Sequence, residues 1–150
     1  MPILLLSFFI IILDQWTKYY VEHHMSLGMS IPVINDIFHI TYILNPGAAF
    51  GILENQASLL VCIALIMIAI LIYFYSRIPA TLKLLRFGLG LLAGGSIGNV
   101  IDRVRTGYVV DFFDFRIWPV FNIADIAIVC GVFSVIWTIA FVNKEVEDND

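Results

Sequence analysis

The chain has 150 residues, 61% of them hydrophobic and 13% charged, with a formal net charge of −4. That length suffices for one domain, but a mean hydropathy of +0.95 excludes an ordinary water-soluble fold, which would be left with large exposed apolar patches. The acidic excess owes much to the tail Glu145, Glu147, Asp148 and Asp150, a solvated terminus, so the charge gives no support to nucleic-acid binding.

Apolar runs of about 20 residues, the length that crosses a bilayer as a helix, occupy residues 2–21, 57–76, 84–101 and 123–142. They predict an all-α membrane protein with four transmembrane helices, forming a single integral membrane domain over residues 1–150. The first run resembles a signal h-region over Ile3 to Leu13, but no basic segment precedes it and no small-x-small site follows. It is therefore expected to remain as a span. Asp14 and Lys18 lie near its end, with Trp16, Tyr19 and Tyr20 at the depth of an aromatic belt, so that end is expected at the interface.

Between the first two runs, Phe38, Ile40, Tyr42 and Leu44 alternate with His39, Thr41 and Ile43. This period of two predicts a strand, and with it a small sheet on the membrane surface. Asn45-Pro46-Gly47 breaks the pattern, and Ala48-Ala49-Phe50-Gly51 reads as a tight turn of small residues. His39, on the polar face of this strand, reads as a solvated group. His23-His24 has neither the HExxH spacing nor further His or Cys in range, which argues against zinc. Cys62 and Cys130 lie mid-run and read as packing residues rather than as a disulfide or reactive thiols.

The third run carries Gly90, Gly94 and Gly98 at four-residue spacing, a bare stripe that admits a neighbouring backbone. Gly94-Gly95-Ser96-Ile97-Gly98 follows no strand, so it is not a phosphate-binding loop. Four spans put both termini and the loop 77–83 on one side, and the segments 22–56 and 102–122 on the other. Arg77, Lys83, Arg86 and Lys144 on the first side balance Lys18, Arg103, Arg105 and Arg116 on the second. The acid-free stretch from Arg77 to Arg86 favours cytoplasmic termini.

Ionisable groups are costly beside a bilayer and call for a pairing or a functional account. Together with polar amides, they concentrate on the side away from the termini: Asp14, Lys18, Asn45, Asn99, Asp102, Arg103, Asp111, Asp114, Asn122 and Asp125. Asn122 and Asp125 are three apart and share a face at the positive end of the fourth helix, where Asp125 equally suits a helix-start position. Two aspartates within hydrogen-bonding range do not both ionise easily, and one proton shared between two carboxyls suits hydrolysis by an activated water. No serine lies in a GxSxG setting and no Ser/Lys pair is evident. Aspartate chemistry that needs no metal and no cofactor is what remains for an enzyme.

Five segments then resemble the bacterial lipoprotein signal peptidase family, signal peptidase II. They are Asp14-Gln15-Trp16-Thr17-Lys18, Asn45-Pro46-Gly47-Ala48-Ala49-Phe50-Gly51, the stretch from Gly94 to Arg103, Gly107-Tyr108-Val109-Val110-Asp111-Phe112, and Phe121-Asn122-Ile123-Ala124-Asp125. The resemblance implies a four-helix aspartyl peptidase of the bacterial cytoplasmic membrane, with termini cytoplasmic and a small extracytoplasmic β-sheet cradling substrate near the outer leaflet. It implies Asp111 and Asp125 as the catalytic pair, with Asn45, Gly47, Asn99, Asp102, Arg103 and Asn122 holding substrate or supporting the pair. Asp14 and Lys18 match a further motif of structural or substrate-contacting role. The implied substrate is a diacylated prolipoprotein cut on the amino side of its lipidated Cys; membrane lipids are the other partner, and the chain is expected to be a monomer.

Two departures stand out. Ile126 follows Asp125 where the family often has Ser, and the connection from Phe112 to Val120 is short, leaving Asp114 as a solvated loop acid. The rival from the residues alone is a proton-coupled transporter with a relay through Asp14, Asp102 and Asp125; the second is a non-catalytic scaffold using the glycine stripe. Against the first, the middles of the runs are expected to hold no ionisable group.

Overall fold

The computed structural model describes residues 2–47 and 53–147. In chain order the elements are α1 (Pro2–His24), β1 (Ser30–Ile34), β2 (Phe38–Asn45), α2 (Ala57–Tyr75), α3 (Lys83–Thr106), β3 (Val109–Asp114) and α4 (Ile123–Glu147). All four helices are long and apolar enough to cross a membrane. The expected tight turn over Ala48 to Gly51 lies outside the described residues.

α3 is the central helix: 56% of its most apolar stretch is buried within the protein, against none of that of α2. Acyl chains are as apolar as leucine, so what holds helices together in a bilayer is close approach rather than hydrophobic burial. Glycine supplies it here. A Cβ on Gly95 would sit 2.4 Å from the Ala124 carbonyl oxygen of α4, and one on Gly94 would sit 2.9 Å from the Ser7 carbonyl oxygen of α1. The glycine stripe therefore works on two faces: Gly94 and Gly98 meet α1, while Gly95, beside the stripe, meets α4. The Ser7 hydroxyl adds a 2.8 Å hydrogen bond to the Gly90 carbonyl across the same α1–α3 seam.

β1, β2 and β3 form one antiparallel sheet in that order. β2 falls where the alternation predicts. β3 lacks that signal because all but one of its residues are buried, which erases the period of two. α3 reaches it through Gly107, whose left-handed φ of 81° closes the helix with a hydrogen bond to the Arg103 carbonyl. The register sets Ile43 opposite Asp111 and Asn45 opposite Val109. Val110 and Phe112 pack with Val21 of α1, surrounded by Met25, Ile40, Tyr42, Leu44 and Ile123. The sheet is thereby seated on the ends of α1 and α4.

Two expectations are corrected. α1 continues to His24, so Asp14 lies at mid-helix rather than near an end; tertiary hydrogen bonds described below supply the polar partners it needs there. Cys62 and Cys130 are free and exposed on outward faces of their helices rather than packed against protein. A thiol is a small apolar group, and lipid is as good a solvent for it as a protein core.

The Gly95 contact leaves no room for a methyl group. Gly95→Ala is expected to cost about 1–3 kcal/mol by overpacking, read as a lowered thermal-unfolding midpoint in detergent. An unchanged midpoint would show that α3 and α4 have slack at this crossing.

Candidate active site

The site begins with the way α4 starts. Asn122 is the residue before its first turn, and its side-chain oxygen accepts the Asp125 backbone N–H at 2.9 Å. Asp125 reaches back with Oδ2 to the Asn122 backbone N–H at 3.3 Å. This is a reciprocal capping box of the S/T-x-x-E kind, written here as Asn-x-x-Asp. The helix-start expectation for Asp125 thus holds, but it occupies only one oxygen. The other, Oδ1, accepts from Asn99 Nδ2 of α3 at 2.8 Å.

Asp111 approaches from the sheet. Its carboxylate is almost completely buried, at 1% exposure. Oδ1 accepts from Asn122 Nδ2 at 2.6 Å and Oδ2 from Asn45 Nδ2 at 2.9 Å. Asn122 is therefore bonded to both acids, to Asp111 through its side chain and to Asp125 through its backbone and side chain. The two carboxylates are 14 positions apart in sequence, and one amide residue brings them to a common place.

The orientation of each asparagine follows from a partner that can only donate. Gly47 N–H donates to Asn45 Oδ1 at 3.0 Å, which turns the Asn45 NH₂ toward Asp111. The Asp125 N–H does the same for Asn122. For Asn99 the donor is Lys18 Nζ, 3.0 Å from Oδ1. That contact directs the Asn99 NH₂ at Asp125.

Lys18 is 2% exposed and also meets Asp14 Oδ2 and Asp102 Oδ2, each at 2.8 Å. Three protons on one ammonium thus find three acceptors from α1 and α3. Asp14, fully buried, turns its other oxygen to the Ala124 N–H of α4 at 2.9 Å. Gly98 leaves the space for it, since a Cβ there would lie 2.6 Å from Asp14 Oδ2. Asp102 accepts in addition from Gln15 Nε2 at 2.8 Å and from the Val110 N–H of β3 at 3.3 Å. Arg103 donates to the Gly47 carbonyl at 2.7 Å and fixes the turn that presents Asn45. Of the polar residues gathered from the sequence, all but Asp114 belong, with Gly47, to this one connected network: Asp14, Lys18, Asn45, Asn99, Asp102, Arg103, Asp111, Asn122 and Asp125.

Gln15 was not singled out and belongs to it too, bridging Asp14, the Gly98 carbonyl and Asp102. Its signal was present in the sequence, since it lies between Asp14 and Lys18. Asp114 is corrected: it is the last residue of β3, buried, and accepts from Thr41 Oγ1 at 2.8 Å and from the Arg116 N–H and guanidinium at 2.8 and 2.9 Å. His39 is likewise no freely solvated group. Its Nδ1 is 3.1 Å from the Ser30 hydroxyl, its Nε2 is buried without a hydrogen-bond partner among the described residues, and it lies opposite Asp114 in the sheet. Among the described residues, no three His, Cys, Asp or Glu side chains are grouped to hold a metal ion.

Burial, reinforced by the negative charge of Asp125, pushes Asp111 up to about 7 against the opposing hydrogen bonds from Asn45 and Asn122 and the charge of Lys18. At neutral pH one member of the pair can thus retain a proton, which equips the pair to donate and accept in one reaction.

Removing the ammonium would strand two buried carboxylates. Lys18→Met is expected to cost about 3–5 kcal/mol in detergent unfolding. Lys18→Met combined with Asp14→Asn and Asp102→Asn should recover part of that loss, because no charge is then left unpaired. Equal stability of the single variant and the parent would show that water reaches this cluster.

Comparison with known proteins follows the same residues. The model of the family described as signal peptidase (SPase) II matches residues 6–141. The chain is 47% identical over 137 residues to a lipoprotein signal peptidase of Moorella thermoacetica, covering 91% of each chain. It is 50% identical over 130 residues to one of Pelotomaculum thermopropionicum, covering 87% of this chain and 86% of that one. Among solved structures, a bacterial membrane enzyme at 2.3 Å resolution superposes with a TM-score of 0.88 at 36% identity, over 96% of this chain and 89% of that one. A second, at 1.9 Å, gives 0.84 at 37% identity over 92% of each. With four apolar helices, a three-stranded sheet and a match across most of its length, this chain belongs to the signal peptidase II family of membrane proteases.

Proposed function

We propose that the chain is an aspartyl endopeptidase that removes signal peptides from diacylglyceryl-modified prolipoproteins, cutting on the amino side of the lipidated Cys. The observation that carries this reading is the convergence of Asp111 and Asp125 on Asn122, with both carboxylates oriented by fixed amide donors. Asp111, raised to about 7, is the proton donor. Asp125, half-buried, is the base.

In the reaction, Asp125 takes a proton from water as the water oxygen attacks the scissile carbonyl carbon. Asp111 gives its proton to the carbonyl oxygen, so a neutral gem-diol forms. The C–N bond then breaks as Asp125 returns its proton to the leaving amine, and Asp111 recovers a proton from one hydroxyl. No covalent intermediate is required. Asn45, Asn99 and Asn122 hold the pair, while Gly47 and Arg103 shape the rim on which a substrate backbone would lie.

The acyl chains of the substrate supply binding energy from the bilayer, and remote binding of that kind can position the scissile bond. In this reading the protein acts as a monomer in the bacterial cytoplasmic membrane, with cytoplasmic termini and the site near the outer leaflet. The acid-free basic loop from Arg77 to Arg86 supports that orientation.

Asp111→Asn and Asp125→Asn should each lower cleavage of a diacylated precursor in detergent by about 10³-fold or more, with insertion and precursor binding retained. Normal turnover by either variant would remove that acid from the mechanism. Unlipidated precursor offered beside the diacylated one should be cut far more slowly, and EDTA should leave the rate unchanged.

Asp111 also dictates a pH dependence. Cleavage should fall about tenfold per pH unit above about 7, as the donor loses its proton. Stability should run the same way. The folded chain keeps a proton on Asp111 that the unfolded chain releases near 3.8, so the stability this group contributes is fully present below that value and is lost as pH rises through about 7. Unfolding midpoints taken from pH 4 to pH 8 test it; a rise over that range would contradict a protonated Asp111.

A further inference from the structure

The segment between β3 and α4 is a closed loop. Phe113 and Phe121 pair across its base, with N–H to carbonyl hydrogen bonds of 2.8 and 3.1 Å in the two directions. Phe113, Phe115 and Phe121, with Phe38 of β2, cluster their rings beside that base. Within the loop Arg116 is held at φ 65°, a left-handed conformation that costs a non-glycine residue about 1 kcal/mol or more. The Asp114 carboxylate maintains it. It accepts the Arg116 N–H and guanidinium on one side and the Thr41 hydroxyl on the other, so β2 is tied to the turn.

The consequence of this turn is an apolar tip. Ile117 is 93% exposed and Trp118 60% exposed, and the run Ile117-Trp118-Pro119-Val120 contains no charge. A buried carboxylate in an otherwise exposed loop thus supports two of the most water-averse side chains. Trp118 is three residues from Phe121, a reach of about 10 Å at most, and the apolar span of α4 begins at Ile123. The headgroup layer on each side of a bilayer is about 5–8 Å thick. The tip therefore lies within about 10 Å of Phe121, two residues before the apolar span of α4 begins, a reach comparable with the thickness of the interfacial zone.

We propose that Ile117 and Trp118 insert into the lipid leaflet on the Asp111 side, and that Asp114, through Thr41 and Arg116, is the brace that holds them in that pose. The occupant of this surface is lipid: tryptophan favours this depth, with its ring among acyl carbons and its N–H among headgroups. The inference concerns the membrane and does not depend on the peptidase reading. Because the same loop joins the elements bearing Asp111 and Asp125, its insertion would set the depth of those acids in the bilayer.

Trp16, Trp118 and Trp137 are the three tryptophans, so a Trp16→Phe/Trp137→Phe variant reports on Trp118 alone. In vesicles of phosphatidylcholine brominated on the acyl chains near the headgroup, at low protein density, Trp118 emission is expected to fall about twofold or more relative to unbrominated lipid, with acrylamide quenching weak. Asp114→Ala or Thr41→Val in that background should reverse the pattern, red-shifting the emission and restoring access to acrylamide. Arg116→Gly, which accepts the left-handed φ and keeps the backbone N–H, should retain quenching by lipid. Full acrylamide quenching in the parent would place the tip in water and overturn the proposal. Bromine-insensitive emission that changes with protein density would assign the tip to a second copy and overturn it as well. Lipid quenching unchanged in both Asp114→Ala and Thr41→Val would overturn the brace.

Discussion

The ammonium of Lys18 is the interaction on which the rest of the site depends. An ammonium buried in a membrane protein must use all its donors, and here the three acceptors are Asp14, Asp102 and Asn99. Each acceptor leads elsewhere: Asp14 to the first turn of α4, Asp102 to the backbone of β3, and Asn99 to Asp125. One charge thereby couples α1, α3, α4 and the sheet. A buried ion cluster of this kind is weak evidence of stability in itself, because desolvation offsets much of its attraction. Its value is geometric, since a donor that cannot reverse its role forces a single orientation on the Asn99 amide and aims it at Asp125.

Glycine makes the arrangement possible. Charged groups at mid-helix need partners within hydrogen-bonding distance, and side chains at the α3 crossings would hold the helices too far apart. Gly98 removes the atom that would occupy the place of the Asp14 carboxylate, and Gly95 lets the α4 backbone come close enough for Ala124 to donate to that same acid. Asp14 and Ala124 are 110 positions apart. The bare face of α3 and the polar network are therefore one design, in which apolar packing sets distances and the polar groups use them.

The proposed pair draws its asymmetry from the two elements that carry it. Asp111 comes from a buried strand and, among the described residues, accepts from two side-chain amides, so desolvation dominates and raises its affinity for a proton. Asp125 stands at the N-terminus of α4, with the helix dipole and two N–H donors about it. Unequal surroundings divide the roles of two chemically identical groups, which is how carboxyl pairs elsewhere separate donor from acceptor.

Four spans, the strand from Phe38 to Leu44 and the polar residues of the site were all readable in the sequence, because helix length, strand alternation and the cost of charge in lipid are local properties. β3 was not, since a strand buried on nearly every residue has no alternation to read. Nor was the place of Asp14, as the helix end that decides it lies in His23 and His24, beyond the apolar run. Asp114 and Thr41 are 73 positions apart, and a loop acid gives no local sign that a hydroxyl on another strand will bury it. Residue type and spacing determined which chemistry was available to this chain. Which oxygens share a donor, and which acid loses its water, depended on contacts between distant segments, and those exist only once the helices have closed on α3.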